Sequence, residues 1–142
     1  MEDLLNATRD NTPTFVPDLK SGKVIYIVDG DTFDVACVYD KRVVKFRIRL
    51  EGIDTPELRS KSEVEKKHAV DAKQALTDLI MGKIIFIGRV KWGPFGRLIC
   101  TVYHSDVNIC DYMVNNKFAV ECKRRAPKEF DWNEYRGVEY TV

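Results

Sequence analysis

No stretch of this sequence stays apolar for the roughly 18 residues that a membrane-crossing helix requires, so neither a membrane span nor a membrane partner is expected. The start, Met1-Glu-Asp-Leu-Leu-Asn6, has neither the basic opening nor the apolar run of a secretory leader. The expectation is an intracellular protein of the cytoplasm or nucleus. Histidine is scarce, with His68 and His104 alone. The four cysteines, Cys37, Cys100, Cys110 and Cys122, form no CxxC pair and have no histidine at zinc-finger spacing. That argues against a structural zinc site and leaves reduced, mostly buried thiols. Internal repeats and low-complexity tracts are also missing. Net charge is nearly absent: 32% of residues are charged, yet they sum to +1. A protein held to its partner mainly by bulk positive charge would be more basic, although local patches are hidden in such a sum.

What is present suits one domain. With 142 residues, 44% of them hydrophobic, the chain can bury a substantial core. Residues 1–20 are polar, contain Pro13 and Pro17 and keep no period, which reads as an extension; the domain is expected over 21–142. Strands are expected at Val24–Val28, ending in the turn Asp29-Gly30, and at Thr32–Tyr39, followed by a hairpin turn at Asp40-Lys41. The run Val43–Leu50 alternates. Val44, Phe46, Ile48 and Leu50 fall on one face, and Lys45, Arg47 and Arg49 on the other. A helix follows, with Ser62 and Glu65 spaced as a capping box, an apolar stripe of Ala69, Ala72, Leu76, Leu79 and Ile80, and Gly82 as terminator. Strands over Lys83–Val90 and Arg97–His104 flank the loop Lys91–Gly96. A shorter helix is expected over Ile109–Lys117, with Met113 and Val114 inward, before an aromatic tail. Five short strands with a helix inserted after the third imply a mainly β domain, a five-stranded OB-type barrel with two or three helices.

Charged residues gather at strand ends. Asp31 follows the first turn, Asp54 and Glu57 follow the third strand, and Arg49 and Arg97 flank the loops. Hydrolysing a phosphodiester at neutral pH requires a nucleophilic water, charge neutralisation on the phosphoryl oxygens and help for the leaving oxygen. Two carboxylates with a backbone carbonyl make an oxygen cage for a hard cation. Two arginines can fork onto phosphate oxygens, and a further carboxylate can orient or deprotonate water. Each residue taken singly also has a plain structural use. Asp29-Gly30-Asp31 can be turn chemistry, with the Asp29 side chain bonding the backbone two residues on; Asp54-Thr55-Pro56 can be an Asx-type turn, and Arg49 and Arg97 solvated cations. Their joint occurrence in order favours the site.

The segments Val28-Asp-Gly-Asp-Thr32, Arg49-Leu-Glu-Gly-Ile-Asp-Thr-Pro-Glu57 and Phe95-Gly-Arg-Leu-Ile-Cys-Thr-Val-Tyr103 together resemble the staphylococcal nuclease (thermonuclease) family. The resemblance covers about Lys23 to Ala119. It implies an OB barrel with helices and a Ca²⁺-dependent nuclease acting on DNA or RNA, with Mg²⁺ or Mn²⁺ as alternative cations. Asp31 and Asp54 then correspond to metal carboxylates, and Thr55 to a metal ligand through its carbonyl. Glu57 corresponds to the water-positioning base, and Arg49 and Arg97 to the residues that grip the scissile phosphate. The implied reaction expels the 5′ oxygen and leaves 3′-phosphorylated products. Departures fall where the family often has Asp-Lys-Tyr before Gly-Arg; here Gly93-Pro94-Phe95 stand instead. Phe95 keeps an apolar ring for base packing, and Lys123 stands where the nuclease has a nucleotide-packing tyrosine. A catalytically inactive binding or scaffold module of the same family, or a plain oligonucleotide-binding barrel, are the competing expectations.

Overall fold

The computed structural model describes residues 2–122. A one-turn helix, α1 (Glu2–Leu5), opens the chain, and irregular backbone with turns at Asn6 and over 9–11 leads on to residue 20. That extension is ordered by contacts it makes late: Pro17 and Leu19 are buried, Trp92 Nε1 donates to the Phe15 carbonyl at 2.6 Å, and Ile87 N–H donates to the Lys20 carbonyl at 2.9 Å.

Strands β1 (Ser21–Asp29), β2 (Thr32–Tyr39) and β3 (Arg42–Leu50) form an antiparallel meander. The β2–β3 hairpin turns at Asp40 (φ 50°) and Lys41 (φ 64°), the positive angles that let a two-residue loop follow the strand twist. Along β3 the expected alternation appears, with Ile48 and Leu50 buried, Val44 and Phe46 half-buried and Lys45 and Arg47 exposed. After β4 (Ile53–Asp54) comes α2 (Glu63–Ile80), then β5 (Ile84–Ile87), β6 (Lys91–Trp92), a 3₁₀ turn at Pro94–Gly96, β7 (Leu98–Cys100), β8 (Val102–His104), β9 (Val107–Asn108), α3 (Ile109–Asn115) and β10 (Val120–Glu121).

The main sheet has the order β6-β7-β3-β2-β1-β5-β8-β9, with β10 pairing β4 separately. The single strand expected over Arg97–His104 is in fact two, broken at Thr101, because it changes partner there. Before the break β7 runs parallel to β3, and after it β8 runs antiparallel to β5. One continuous run thus joins β3, at one end of the meander, to β5, which pairs with β1 at the other, and the sheet curls into the five-stranded OB barrel. The expected strand Lys83–Val90 is trimmed to Ile84–Ile87, since Gly88 N–H already donates to the Thr101 carbonyl at the break.

Phe33, Val35, Ile48, Leu50, Ile85 and Leu98 fill the barrel, each contributing about 1.5–3 kcal/mol by burial. Helix α2 closes one side with Ala69, Ala72, Leu76 and Ile80. Its Ser62 Oγ caps Glu65 N–H at 3.2 Å, and Gly82 supplies the left-handed exit at φ 75°. Helix α3 packs Ile109 and Met113 inward and ends at Asn115, earlier than expected, because Lys117 turns to φ 65°; Val114 is half-buried. Among the described residues, no helix is long and apolar enough to cross a membrane.

Candidate active site

One end of the barrel gathers the charged residues. The β1–β2 turn is built as local chemistry dictates: Asp29 Oδ1 accepts the Asp31 N–H at 3.1 Å, closing a turn two residues on. Gly30 presses against α2, and a Cβ there would sit 2.8 Å from Ala72 Cβ and 3.2 Å from Thr55 Cγ2. The Asp31 carbonyl accepts Leu50 N–H at 2.8 Å, so the turn is fastened to the end of β3. Asp31 itself is only 6% exposed. Its Oδ1 accepts the Thr32 hydroxyl at 2.9 Å, leaving Oδ2 facing Arg49.

Arg49 is the hub. Its Nη1 donates to the carbonyls of Leu50 (3.0 Å) and Ile53 (2.9 Å), which locks the guanidinium plane. Its Nη2 meets Asp31 Oδ2 at 3.4 Å and Asp54 Oδ1 at 3.3 Å. Two carboxylates from separate loops therefore converge on one point that demands positive charge. Asp54 Oδ1 also accepts Thr55 N–H at 3.1 Å, and β10 pairs Val120 opposite Asp54. Among the described residues, no group of three or more His, Cys, Asp or Glu side chains is arranged to hold a metal ion. Asp31 and Asp54 bring two carboxylates together, oxygen donors of the kind a hard cation takes, and Thr55 beside them is buried.

Glu57 stands at the rim, exposed, with its pKa raised by desolvation first and then by Asp54, Asp31 and Glu65, while Arg49 lowers it. Its charge is thus felt by the same cluster. Glu65, expected in the capping box, donates its N–H to Ser62 Oγ, and its carboxylate also holds the Glu57 loop, accepting Glu57 N–H at 2.9 Å and the Ser60 hydroxyl at 2.8 Å. This bracing role escaped the sequence reading, because the capping spacing explained Glu65 fully. Asp29, read only as a turn former, is also more than that. Burial and the neighbouring Asp31 push its carboxyl up to about 7. Only its spacing from Asp31 could have signalled this.

Arg97 and Phe95 form a separate group. Arg97 Nε donates to the Pro94 carbonyl at 3.3 Å and its guanidinium lies 5.6 Å from the Phe95 ring centroid. Phe95 is 85% exposed and sits at φ 63°, a region costly for an aromatic residue. Arg97 precedes Leu98, the register partner of Ile48. It therefore lies on the same outer face as Arg49, but its contacts are with its own loop. Lys123 lies outside the described residues, as does the aromatic tail.

Residues 47–140 match the staphylococcal nuclease homologue family, which takes in Arg49, Asp54, Thr55, Glu57, Phe95, Arg97 and Lys123 but begins after Asp31. Protein ParB of Escherichia coli is 34% identical over 82 residues, 58% of this chain and 41% of its own length. A probable staphylococcal-like nuclease, CAN2, of Oryza sativa subsp. japonica is 31% identical over 86 residues, 60% of this chain and 22% of its own length. The chain thus spans less than half of either relative. Since the family match covers well over half of the sequence, this chain belongs to the staphylococcal nuclease homologues.

Proposed function

We propose that this chain is a Ca²⁺-dependent nuclease that hydrolyses phosphodiester bonds of DNA or RNA. Water attacks phosphorus as the bond to the 5′ oxygen breaks, so products carry 3′-phosphates. The observation that carries the reading is the convergence of Asp31 Oδ2 and Asp54 Oδ1 on Arg49 Nη2.

Asp31, Asp54 and the Thr55 carbonyl would hold Ca²⁺, or Mg²⁺ or Mn²⁺ in its place. When bound, such a cation offsets charge building on the phosphoryl oxygens. Glu57 accepts the proton of the attacking water; its raised pKa makes it a stronger base than an ordinary glutamate. Arg49, already oriented by two carbonyls, donates to a phosphoryl oxygen. Arg97 completes the clamp by exchanging the Pro94 carbonyl for phosphate, and the leaving oxygen takes a proton from solvent. Phe95 and Lys123 serve the nucleotide, the first by packing on a base.

The test is cleavage of labelled DNA and RNA oligonucleotides with Ca²⁺, Mg²⁺ or Mn²⁺ against a chelator. Cation-dependent cleavage to 3′-phosphate ends is expected, with Arg97→Ala slowing it by ~10²–10³. Absence of cleavage, indifference to chelator or 5′-phosphate ends would overturn the reading. One observation favours a second reading, a binding module without turnover: Arg97 is engaged by Pro94 and Phe95 rather than by the carboxylate cluster. That module would bind oligonucleotides and leave them intact with every cation.

A further inference from the structure

Two of the three cations on the outer face of β3 have no part in the reaction above. Strand register gives them a common setting. Lys23, Ala36 and Lys45 lie in one row across β1, β2 and β3, and Tyr26, Asp34 and Arg47 lie in the next. The row after that pairs Thr32 with Arg49. Partners opposite one another in a sheet share a face, and Lys23, Tyr26, Lys45 and Arg47 are all exposed. The face is therefore a ladder that climbs from Lys45 through Arg47 to Arg49, where the carboxylate cluster begins.

Its chemistry is uneven in a useful way. Asp34, buried beneath Arg47, accepts from Nε at 2.8 Å and from Nη2 at 3.1 Å. This two-pronged pair fixes the guanidinium, whose side chain remains 47% exposed. In the same row, on β1 and just past an irregularity of register between Val24 and Tyr26, Tyr26 is 55% exposed. Lys23 and Lys45 add two charges in the row below, so in these two rows three cations stand against the one carboxylate Asp34, with Asp29 following in the row of Thr32 and Arg49. Along β3 the cations recur every second residue, about 6.8 Å apart at ~3.4 Å per residue. That step is comparable with the phosphate repeat of an extended single strand. Cations tracking a backbone beside an exposed aromatic ring are the two elements by which proteins hold single-stranded nucleic acid.

We infer that the outer face formed by Lys23, Tyr26, Lys45 and Arg47 is a binding surface for single-stranded nucleic acid, which leads the strand along β3 to Arg49. It rests on the reading of nucleic acid as substrate and adds where the uncleaved part of the strand lies. A base stacks on Tyr26, Lys23 and Lys45 each meet a phosphate, and Arg47 offers its free edge to the next.

The test is fluorescence anisotropy of a labelled single-stranded 12-mer and a 3-mer, with chelator present so that binding is read without cleavage. Lys23→Gln/Lys45→Gln should weaken the 12-mer about 25-fold at 0.1 M salt and lower its salt slope by about 1.4, since each single-strand phosphate contact contributes ~0.7 to that slope. Binding of the 3-mer, which fits at Arg49 alone, should change little. Tyr26→Ala should weaken the 12-mer about fivefold or more, and a duplex of equal length should show no comparable loss. Equal weakening by Lys66→Gln/Lys67→Gln on α2, or wild-type affinity in the Lys23/Lys45 variant, overturns the surface. These variants report on binding alone. A wild-type protein that binds through this face yet cleaves nothing sinks the nuclease reading and leaves the surface standing, and one that cleaves with the face neutralised at no cost does the reverse.

Discussion

Arg49 and the cysteines show how far single side chains decide behaviour. Arg49 is the cation between Asp31 and Asp54, so Arg49→Ala leaves two carboxylates facing each other, one of them buried. In chelator this should lower stability by about 1–3 kcal/mol, the usual cost of stranding a buried polar group. With Ca²⁺ saturating, the added cation takes over the compensating charge and the loss in melting temperature should shrink. Equal losses in both conditions would contradict a cation shared by the two carboxylates. Arg49→Lys should not rescue cleavage, because one ammonium cannot reach two backbone carbonyls and two carboxylates together. The thiols point to alkaline instability. Burial pushes Cys100 up to about 12 and Cys110 to about 11 from an ordinary value near 9. The raised folded-state values favour the folded form fully below pH 9, and that contribution drains away as pH rises towards 11–12. Melting temperature should therefore fall above pH 9, and less steeply in Cys100→Val/Cys110→Ala. At pH 8, a thiol reagent should label Cys122 first and the three buried cysteines only after unfolding; rapid native labelling of more than one thiol would refute this.

Elements position the site through close approach, and Gly30 is the place to test it. A methyl group there meets Ala72 Cβ on α2 and Thr55 Cγ2 at the loop, and neither can rotate away as a long side chain would. Gly30→Ala should cost roughly 1–3 kcal/mol by overpacking and should weaken cation binding as well, since the same turn carries Asp31. An unfolding transition unmoved from wild type would show that the turn yields more easily than this packing allows. A tight junction of this kind marks the limit of what was legible in the sequence. The β3 alternation, the α2 stripe, the Asp29 turn and the Asp40-Lys41 hairpin are local patterns, visible because period and turn chemistry depend on neighbours in the chain. The break at Thr101 depends on two strands distant in sequence, β3 and β5, competing for one run. The reach of the Glu65 carboxylate to the Glu57 loop was invisible for the same reason. The meeting of Asp31, Arg49 and Asp54 was foreshadowed because each lies at or near a place where a strand gives way to a turn. Arg97 was readable by order and not by contact, since its partners in the structure are Pro94 and Phe95.

At the scale of the molecule, the barrel's two faces of β3 divide the labour. The inner face is spent on the core through Ile48 and Leu50, and the outer face carries cations toward a cluster of carboxylates assembled from the β1–β2 turn and the β3–α2 loop. Because Leu50 N–H fastens the Asp31 turn to β3 and β10 pairs with β4 at Asp54, anything gripping Asp31 and Asp54 together braces both loops at once. Such a ligand binds the folded chain and not the unfolded one, where the two residues are 23 positions apart in sequence. Stability must then rise with ligand concentration, by about 2.7 kcal/mol at 100 times the dissociation constant. Thermal unfolding in increasing Ca²⁺ should show a melting temperature that climbs by several degrees and keeps climbing with concentration. Asp31→Asn/Asp54→Asn should erase the climb and, having removed the mutual repulsion, should not be less stable than wild type in chelator by more than the loss of the Arg49 pairing. A wild-type melting temperature indifferent to Ca²⁺, Mg²⁺ and Mn²⁺ alike would contradict a cation shared by Asp31 and Asp54, and would leave Arg49 as the charge that satisfies these carboxylates.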